Sequence, residues 1–422
     1  MSELPLDNYV SNPDDPDLLT SVAVTIDGAS PDIVNDISWV QLVLAESILV
    51  PGLQTSLKVQ NNSNYPGKNF DSVKGLPLAL TIKRKILGRY GFNDTMQISQ
   101  TLYRLGGRST TTPNSEDNRK LINRAVEELT FHACDPTLLN DAANLVSKSW
   151  KCTTPNAIAA EVLSSCAGAK NLNIEPSDPA RDYIAENKHP FQVVSQQANA
   201  ALANGNDPSF LHFMTYEKAE TGQGTHHFRS LYTMTQQPSI IDLSYTQLYS
   251  YENPTSISSY YFPCDFDLLS DILNGVGSSG ADISSLAAFN PQRGSFSLFG
   301  NQALGCGIGG GSYKIAMTNQ GSESAEYSCP DFVSTYMLKR QARMGLLEKD
   351  KIALRLTVPW NPIYNVGKMI TISLVNPDND TRQLKYGSGD YLIVALVHNI
   401  IAGGFSTITI DCVSRTVGQG EV

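Results

Sequence analysis

No stretch of this 422-residue chain approaches the ~18 consecutive apolar residues of a membrane-spanning helix. The opening residues MSELPLD carry neither a basic nor an apolar segment, so no secretory signal is expected. The seven cysteines form an odd, scattered set without a Cys-x-x-Cys pair, and they read as reduced, mostly buried thiols of a chain folded in cytoplasm. Positive charge is scarce: 31 Lys and Arg against 41 Asp and Glu leave a net charge of −10. A surface that coats nucleic acid needs clustered Lys and Arg, and this balance argues against one. Three catalytic or nucleotide signatures are missing too: Gly-x-Ser-x-Gly, His-Glu-x-x-His and the P-loop.

What is present is apolar material in two textures. Hydrophobic residues make up 41% of the chain, enough for packed cores, and at roughly 100–200 residues per domain the length suggests two to four domains. Residues 1–19 read as an extended polar arm; NPDDPD at 12–17 has three Asp but lacks the Gly and closing Glu of a calcium loop. Residues 20–134 read as β, with strands over 21–26, 37–50, 53–60, 76–86, 96–105 and 122–134, a polar loop over 61–69 and a Ser/Thr-rich loop over 106–118. Several strands with turn signals between them suggest a barrel or a sandwich.

The texture then changes. Leu138, Leu139, Ala142, Leu145, Val146 and Trp150 fit a helical stripe. Thr154 and Pro155 open a second helix as N-cap and first helical residue. A third starts at Pro190, with Phe191, Val194, Ala198, Ala201 and Leu202 on one face and Gly205 at its end. Residues 210–216 and 226–232, around a Gly-containing turn, form a hairpin by spacing. Residues 135–240 are therefore a helix-plus-hairpin unit. From 241 to 422 the chain is again β-rich: strands over 257–267, 351–358, 368–375, 391–399 and 405–413, a helix over 331–347, and a Gly/Ser-rich insertion over about 275–330. The fold class is mainly β with an α+β middle domain. No direct sequence repeat joins the two β-rich parts.

Chemistry is suggested at few places. GCGIGG at 305–310 matches the dinucleotide pattern, but the pattern needs a helix behind it, and residues 313–317 look like a strand. His226 and His227 are adjacent in GTHHFRSL (224–231), and on a strand adjacent side chains point to opposite faces, so they do not share one metal. His212 lies across the hairpin and is placed to face one of them. On this reading Phe228 points inward, with His226 on its face, and His226, His227 and Arg229 are candidates for surface or inter-subunit contacts. His398 closes an apolar strand and reads as a structural histidine held by a hydrogen bond. Glu127 and Glu128 alternate across a strand, so they are not the facing carboxylate pair of a glycosidase.

Four segments, in order, carry a resemblance. They are ELTFHAC (128–134) leading to TPNAIAAEVL (154–163); HPFQVV (189–194) leading to FLHFMTYE (210–217); HFRSL (227–231); and YNVGKMITIS (364–373) with GDYLIV (389–394), His398 and GFSTITIDCV (404–413). In this order they resemble the central baseplate hub of contractile-tailed bacteriophages, a family that includes the T-even tail hub and is related to the N-terminal part of type VI secretion spikes. The resemblance implies two tube-like β-barrel domains (20–134 and 241–422) joined by the 135–240 connecting domain. It implies a homotrimer whose six barrels adapt a three-fold central spike to a six-fold tail tube and line the DNA channel. The implied partners are other copies of the chain, the central spike, tail tube and distal tube proteins, the tape measure protein, baseplate wedge proteins, and DNA that passes without specific binding. No catalysis, cofactor, metal or membrane insertion is implied, and the place is the virion, assembled in host cytoplasm. The competing readings are a tail-associated cell-wall-degrading enzyme and a spike-type secretion component.

Overall fold

The computed structural model describes residues 20–26, 37–61, 74–84, 95–111, 126–203, 207, 209–217, 222–245, 255–262, 285–290, 295–300, 313–317, 352–374, 387–402 and 405–414. The 1–19 arm, most of the 61–69 loop, the glycine-rich loops at 274–280 and 305–311, and the 331–347 helix lie outside them. Six strands open the chain: β1 (Thr20–Ile26), β2 (Ile37–Ser47), β3 (Gln54–Asn61), β4 (Pro77–Arg84), β5 (Thr95–Thr111) and β6 (Val126–Cys134). A middle segment follows: α1 (Pro136–Ala143), β7 (Val146–Thr153), α2 (Pro155–Ser165), β8 (Asn171–Ile174), β9 (Arg181–Lys188), α3 (Pro190–Ala200), β10 (Phe210–Thr215), β11 (Thr225–Ser230) and α4 (Leu231–Thr235). Then come β12 (Ser239–Tyr245), β13 (Ser259–Tyr261), β14 (Ser285–Asn290), β15 (Ser295–Gly300), β16 (Tyr313–Met317), β17 (Ile352–Pro359), β18 (Met369–Leu374), β19 (Gly389–Ile401) and β20 (Thr407–Ser414). The architecture is mainly β, as the alternation of apolar and polar residues predicts.

Period-two burial carries the strands. In β20, Ile408, Ile410, Cys412 and Ser414 are buried while the residues between them are half-exposed. In β2 the inward register is Leu42, Leu44, Glu46. The helices start where the capping chemistry sits. Asp135 accepts Thr137 N–H at 2.9 Å to open α1, and Pro155 and Pro190 occupy first-turn positions of α2 and α3, where no intrahelical N–H is needed.

Two expectations are corrected. The helical stripe over 138–150 is one short helix followed by a strand, because α1 stops at Ala143 and 146–153 is β7, paired antiparallel with β9. A spacing of four is shared by both structures: it returns to one helix face, and it is also even, so Val146 and Trp150 point to one strand face. The Ser/Thr-rich loop expected from Gly106 is strand up to Thr111, kept in the ladder by register shifts around Gly106 and at Gly107, whose φ is 62°.

The principal sheet has twelve strands, in the order β1-β4-β5-β6-β3-β2-β19-β20-β17-β13, with β18 also on β19 and β12 on β18. Divided at the β2–β19 seam, it is two sets of six with one strand order. The first set runs first, fourth, fifth, sixth, third, second. The second set, taken as β12, β13, β17, β18, β19 and β20, runs β12-β18-β19-β20-β17-β13, which is the same order.

The correspondence reaches individual residues. Thr101 of β5 pairs with both Pro77 and Cys134, and Leu392 of β19 pairs with both Met369 and Val413. Just beyond these residues each strand carries a register shift, between Leu102 and Arg104 and between Ile393 and Ala395. Gly75 N–H donates to Leu102 O at 2.8 Å, and Gly367 N–H donates to Ile393 O at 2.9 Å. These two glycines share the left-handed region, at φ 83° and 78°. One relation differs: β1 runs antiparallel to β4, whereas β12 runs parallel to β18. The expectation of no direct sequence repeat stands beside a structural one, because pairing order constrains backbone geometry and not side-chain identity.

Candidate functional site

The middle hairpin, β10 paired with β11, sits where both sheet halves meet. Its register sets Met214 opposite His226 and His212 opposite Phe228, so His212 and His226 are diagonal neighbours. Their rings stack with centroids 5.4 Å apart and 13° between planes, and Phe191 of α3 sets its ring edgewise against both. His212 Nε2 lies 3.1 Å from His226 Nδ1, and His226 Nε2 lies 3.1 Å from Thr137 Oγ1. The Thr137 hydroxyl donates to Asp135 Oδ1 at 2.6 Å, so its oxygen is left to accept from His226 Nε2–H. His226 Nδ1 then accepts from His212 Nε2–H. The chain His212→His226→Thr137→Asp135 is fully directional, and all four side chains are buried. Its far end, Asp135 Oδ2, accepts the Gly224 N–H of the hairpin turn at 3.0 Å.

His227 points to the other hairpin face, as strand geometry requires. It stacks on Phe213 at 4.8 Å, meets Thr215 Oγ1 at 2.9 Å through Nε2, and Asn173 Nδ2 at 3.2 Å through Nδ1. Burial pushes the rings of His226 and His227 down to a pKa of about 3, the next cause being His227 for the first and Arg229 for the second. Burial also holds His212 well below the ordinary value, with His226 and His227 adding to it. These rings are neutral. The Glu217 carboxylate 3.7 Å from His227 therefore makes no ion pair with it, and binds Lys368 Nζ at 3.0 Å instead.

The expectation that His226 and His227 reach the surface is corrected. They are 0% and 2% exposed, because α3 covers one face of the hairpin and the second half of the chain packs near the other, with Gly367 against Phe213. Arg229 is half-buried and donates to Gln237 Oε1 at 3.3 Å. Phe228 points inward as expected. The histidines take no metal-like arrangement; among the described residues no three His, Cys, Asp or Glu side chains form a ligand set.

Glu46 was not singled out by its sequence. Its carboxylate lies at the meeting point of all three parts of the chain: Oε1 accepts Tyr216 N–H at 2.6 Å and Oε2 accepts Val366 N–H at 3.1 Å. Burial raises its pKa from 4.5 to about 8, against the pull of the two N–H donors, with the Glu217 charge adding to the rise. The Tyr216 hydroxyl then reaches into the first sheet half, donating to Gln54 O at 2.9 Å and accepting from Gln100 Nε2 at 3.3 Å. A readable signal existed: Glu46 falls in the inward register of an otherwise apolar strand, where a carboxylate needs buried donors.

His398 departs from its expected role. It is fully buried on β19, and neither ring nitrogen has a hydrogen-bond partner among the described residues. Burial lowers its pKa to about 3. Tyr216 sets its ring edgewise, 6.5 Å away. Of the other candidates, GCGIGG lies outside the described residues and is followed by the strand β16 as expected, while Glu128 pairs with Lys58 at 2.8 Å. No described helix is long and apolar enough to cross a membrane.

With this geometry in place, comparison with solved structures defines the class: the chain has the fold of tail proteins. It is similar to the tail protein from Neisseria meningitidis MC58, at a TM-score of 0.55 and 11% identity over 94% of this chain and 97% of that one. It is similar as well to the 43 kDa tail protein of prophage MuSo2 from Shewanella oneidensis, at a TM-score of 0.53 and 12% identity over 93% and 97%. The resemblance drawn from the four segments thus holds at the level of the fold. No protein-family model and no curated protein sequence matches the chain.

Proposed function

We propose that this chain is a structural hub of a phage tail baseplate: a homotrimer that adapts a three-fold central spike to a six-fold tail tube. The observation that carries the reading is the shared strand order of the two six-stranded sets. One chain that presents two like β units, in three copies, offers six, which is the arithmetic a three-to-six adaptor needs. The two units act as tube-like barrels, 20–134 and 241–422, around the connecting domain at 135–240. Copies of the chain, the central spike, tube and distal tube proteins, the tape measure protein and wedge proteins are the partners. DNA passes the acidic channel without specific binding, since a net charge of −10 repels it. The work is geometric, not catalytic, and it is done in the virion after assembly in host cytoplasm. Of the three residues assigned to inter-subunit contact, Arg229 is the one with surface to offer a neighbour.

Light scattering coupled to size exclusion, with negative-stain imaging, tests this. A ring of three chains is expected. A monomer at every concentration, hydrolysing cell-wall material, would favour the enzyme reading instead.

A further inference from the structure

The first sheet half, the middle hairpin and the second half meet at one carboxyl group. Glu46 is 3% exposed on the inward face of β2, and among the described residues its oxygens accept only two backbone N–H groups, those of the buried Tyr216 and Val366. No described Lys or Arg touches it. Lys368, two residues past Val366, binds instead to Glu217, one residue past Tyr216, at 3.0 Å. The joint between the hairpin and the 366–368 segment is thus a clasp of two layers. The inner layer is Glu46 between two main chains. The outer layer is the Glu217–Lys368 ion pair, whose side chains are 36% and 24% exposed.

The other titratable groups around Glu46 do not supply the missing cation. The Glu217 charge adds to the difficulty of ionising it. His227, 3.7 Å from the second Glu217 oxygen, is neutral, and so is His398 of β19, set edgewise to the Tyr216 ring. Asp135 of the first half bears on the Tyr216 hydroxyl with a further negative charge, and the positive charges of Arg229 and Lys368 bear on His227. An ionised Glu46 is a buried charge with two N–H donors and no counter-ion, which is costly until water reaches it. The half-exposed outer ion pair is where water meets the joint.

The two sides of the clasp are held unequally. Gly367 N–H donates to Ile393 O at 2.9 Å and Ile393 N–H to Lys368 O at 3.0 Å, which fixes the 366–368 segment to β19. The hairpin end at 215–217 belongs to β10, whose ladder partner is β11 and not a strand of the second half. At the end of the middle unit, Gln237 Nε2 donates to Gly367 O at 3.2 Å, just before the chain enters β12. The hairpin end is the side free to lift, and 237–239 is the pivot. The β2–β19 ladder from Gln41 to Ser47 keeps the two sheet halves together.

We propose that this joint is a proton-operated clasp: loss of the Glu46 proton admits water and parts the hairpin end from the 366–368 segment, so that the 135–240 unit tilts against the second half while the rest of the chain stays folded. All its groups lie within one chain, so it does not depend on the hub reading. Burial raises the folded carboxyl from 4.5 to about 8, so the clasp is complete below 4.5 and is lost as pH rises through 8.

Hydrogen exchange of the full-length chain, read by mass spectrometry with fragmentation at Tyr216 and Val366, tests this. After correction for intrinsic rates, protection of these two amides is expected to fall by up to about tenfold per pH unit between pH 5 and 8. It is expected to stay unchanged in low urea and to lie well below that of β20, whose amides open only with the whole fold. Glu46→Gln is expected to remove the pH dependence at both amides. Lys368→Met, a change at the half-exposed layer, covers the case in which that variant does not fold: it leaves Glu217 beside Glu46 without its cation, and protection of Tyr216 at pH 7 is expected to drop severalfold. The clasp is overturned if both amides exchange at the β20 rate, if their protection is flat with pH in the wild type or as steep in Glu46→Gln, or if Lys368→Met leaves them unaltered.

Discussion

Glu46 Oε1 accepts the backbone N–H of Tyr216 at 2.6 Å, across 170 residues of chain. The other carboxylate oxygen takes Val366 N–H, 320 residues away. One side chain thereby ties the first sheet half, the hairpin and the second half together, in a place where water cannot substitute for it.

Replacing Glu46 with Ala leaves two buried N–H groups without acceptors. At roughly 1–3 kcal/mol for each orphaned group, a loss of about 2–6 kcal/mol is expected. Urea unfolding at pH 6 measures it, and a loss below about 1 kcal/mol would show that the tie is dispensable.

The carboxyl also sets an alkaline limit. Its folded pKa is raised to about 8 from 4.5, so its contribution is complete below 4.5 and is lost as pH rises through 8. The unfolding free energy of the wild type relative to Glu46→Gln is expected to fall with rising pH across that window, at up to about 1.4 kcal/mol per pH unit.

The histidines set the acid limit with the opposite sign. His226, His227 and His398 have folded values near 3 against 6.5, so their contribution is complete above 6.5 and is lost as pH falls toward 3. Unfolding followed from pH 7 to 4.5 should show net proton uptake, and a flat profile would contradict the buried, neutral rings.

His398→Leu is expected to stabilise the protein. The ring has two buried nitrogens with no described partner, and an apolar side chain of similar volume removes that cost. A gain of about 1–2 kcal/mol in urea unfolding at pH 7 is expected, with less acid sensitivity than the wild type. A loss of stability would mean that the ring has a role in the packed seam.

Gly75 and Gly367 make a matched pair. Both have φ near 80°, so alanine at either incurs the left-handed backbone cost of roughly 1–2 kcal/mol. A Cβ at Gly75 meets nothing within 4 Å, whereas at Gly367 it would lie 2.9 Å from both Phe213 Cζ and Met234 Sδ. Gly367→Ala should therefore be the more damaging, by about 1–3 kcal/mol, in parallel thermal unfolding.

Much of this was legible in the chain. Alternation located β20 to within a residue or two, because a strand with one buried face must repeat every second residue. Proline marked the starts of α2 and α3, because its missing N–H is harmless there. The hairpin and the opposite facing of His226 and His227 followed from strand geometry. The β7 strand was hidden, since a four-residue spacing satisfies a helix and a strand alike.

Sequence by itself determined the β character, the mixed middle and the inward register that includes Glu46. Only the tertiary structure decided that both faces of the hairpin are covered, that His398 has no described partner, and that β2 crosses to β19. Local pattern reports which face of an element is apolar. It does not report which distant backbone will present its N–H groups to that face, because strand pairing is chosen by non-local hydrogen bonds between main chains that are alike at every residue.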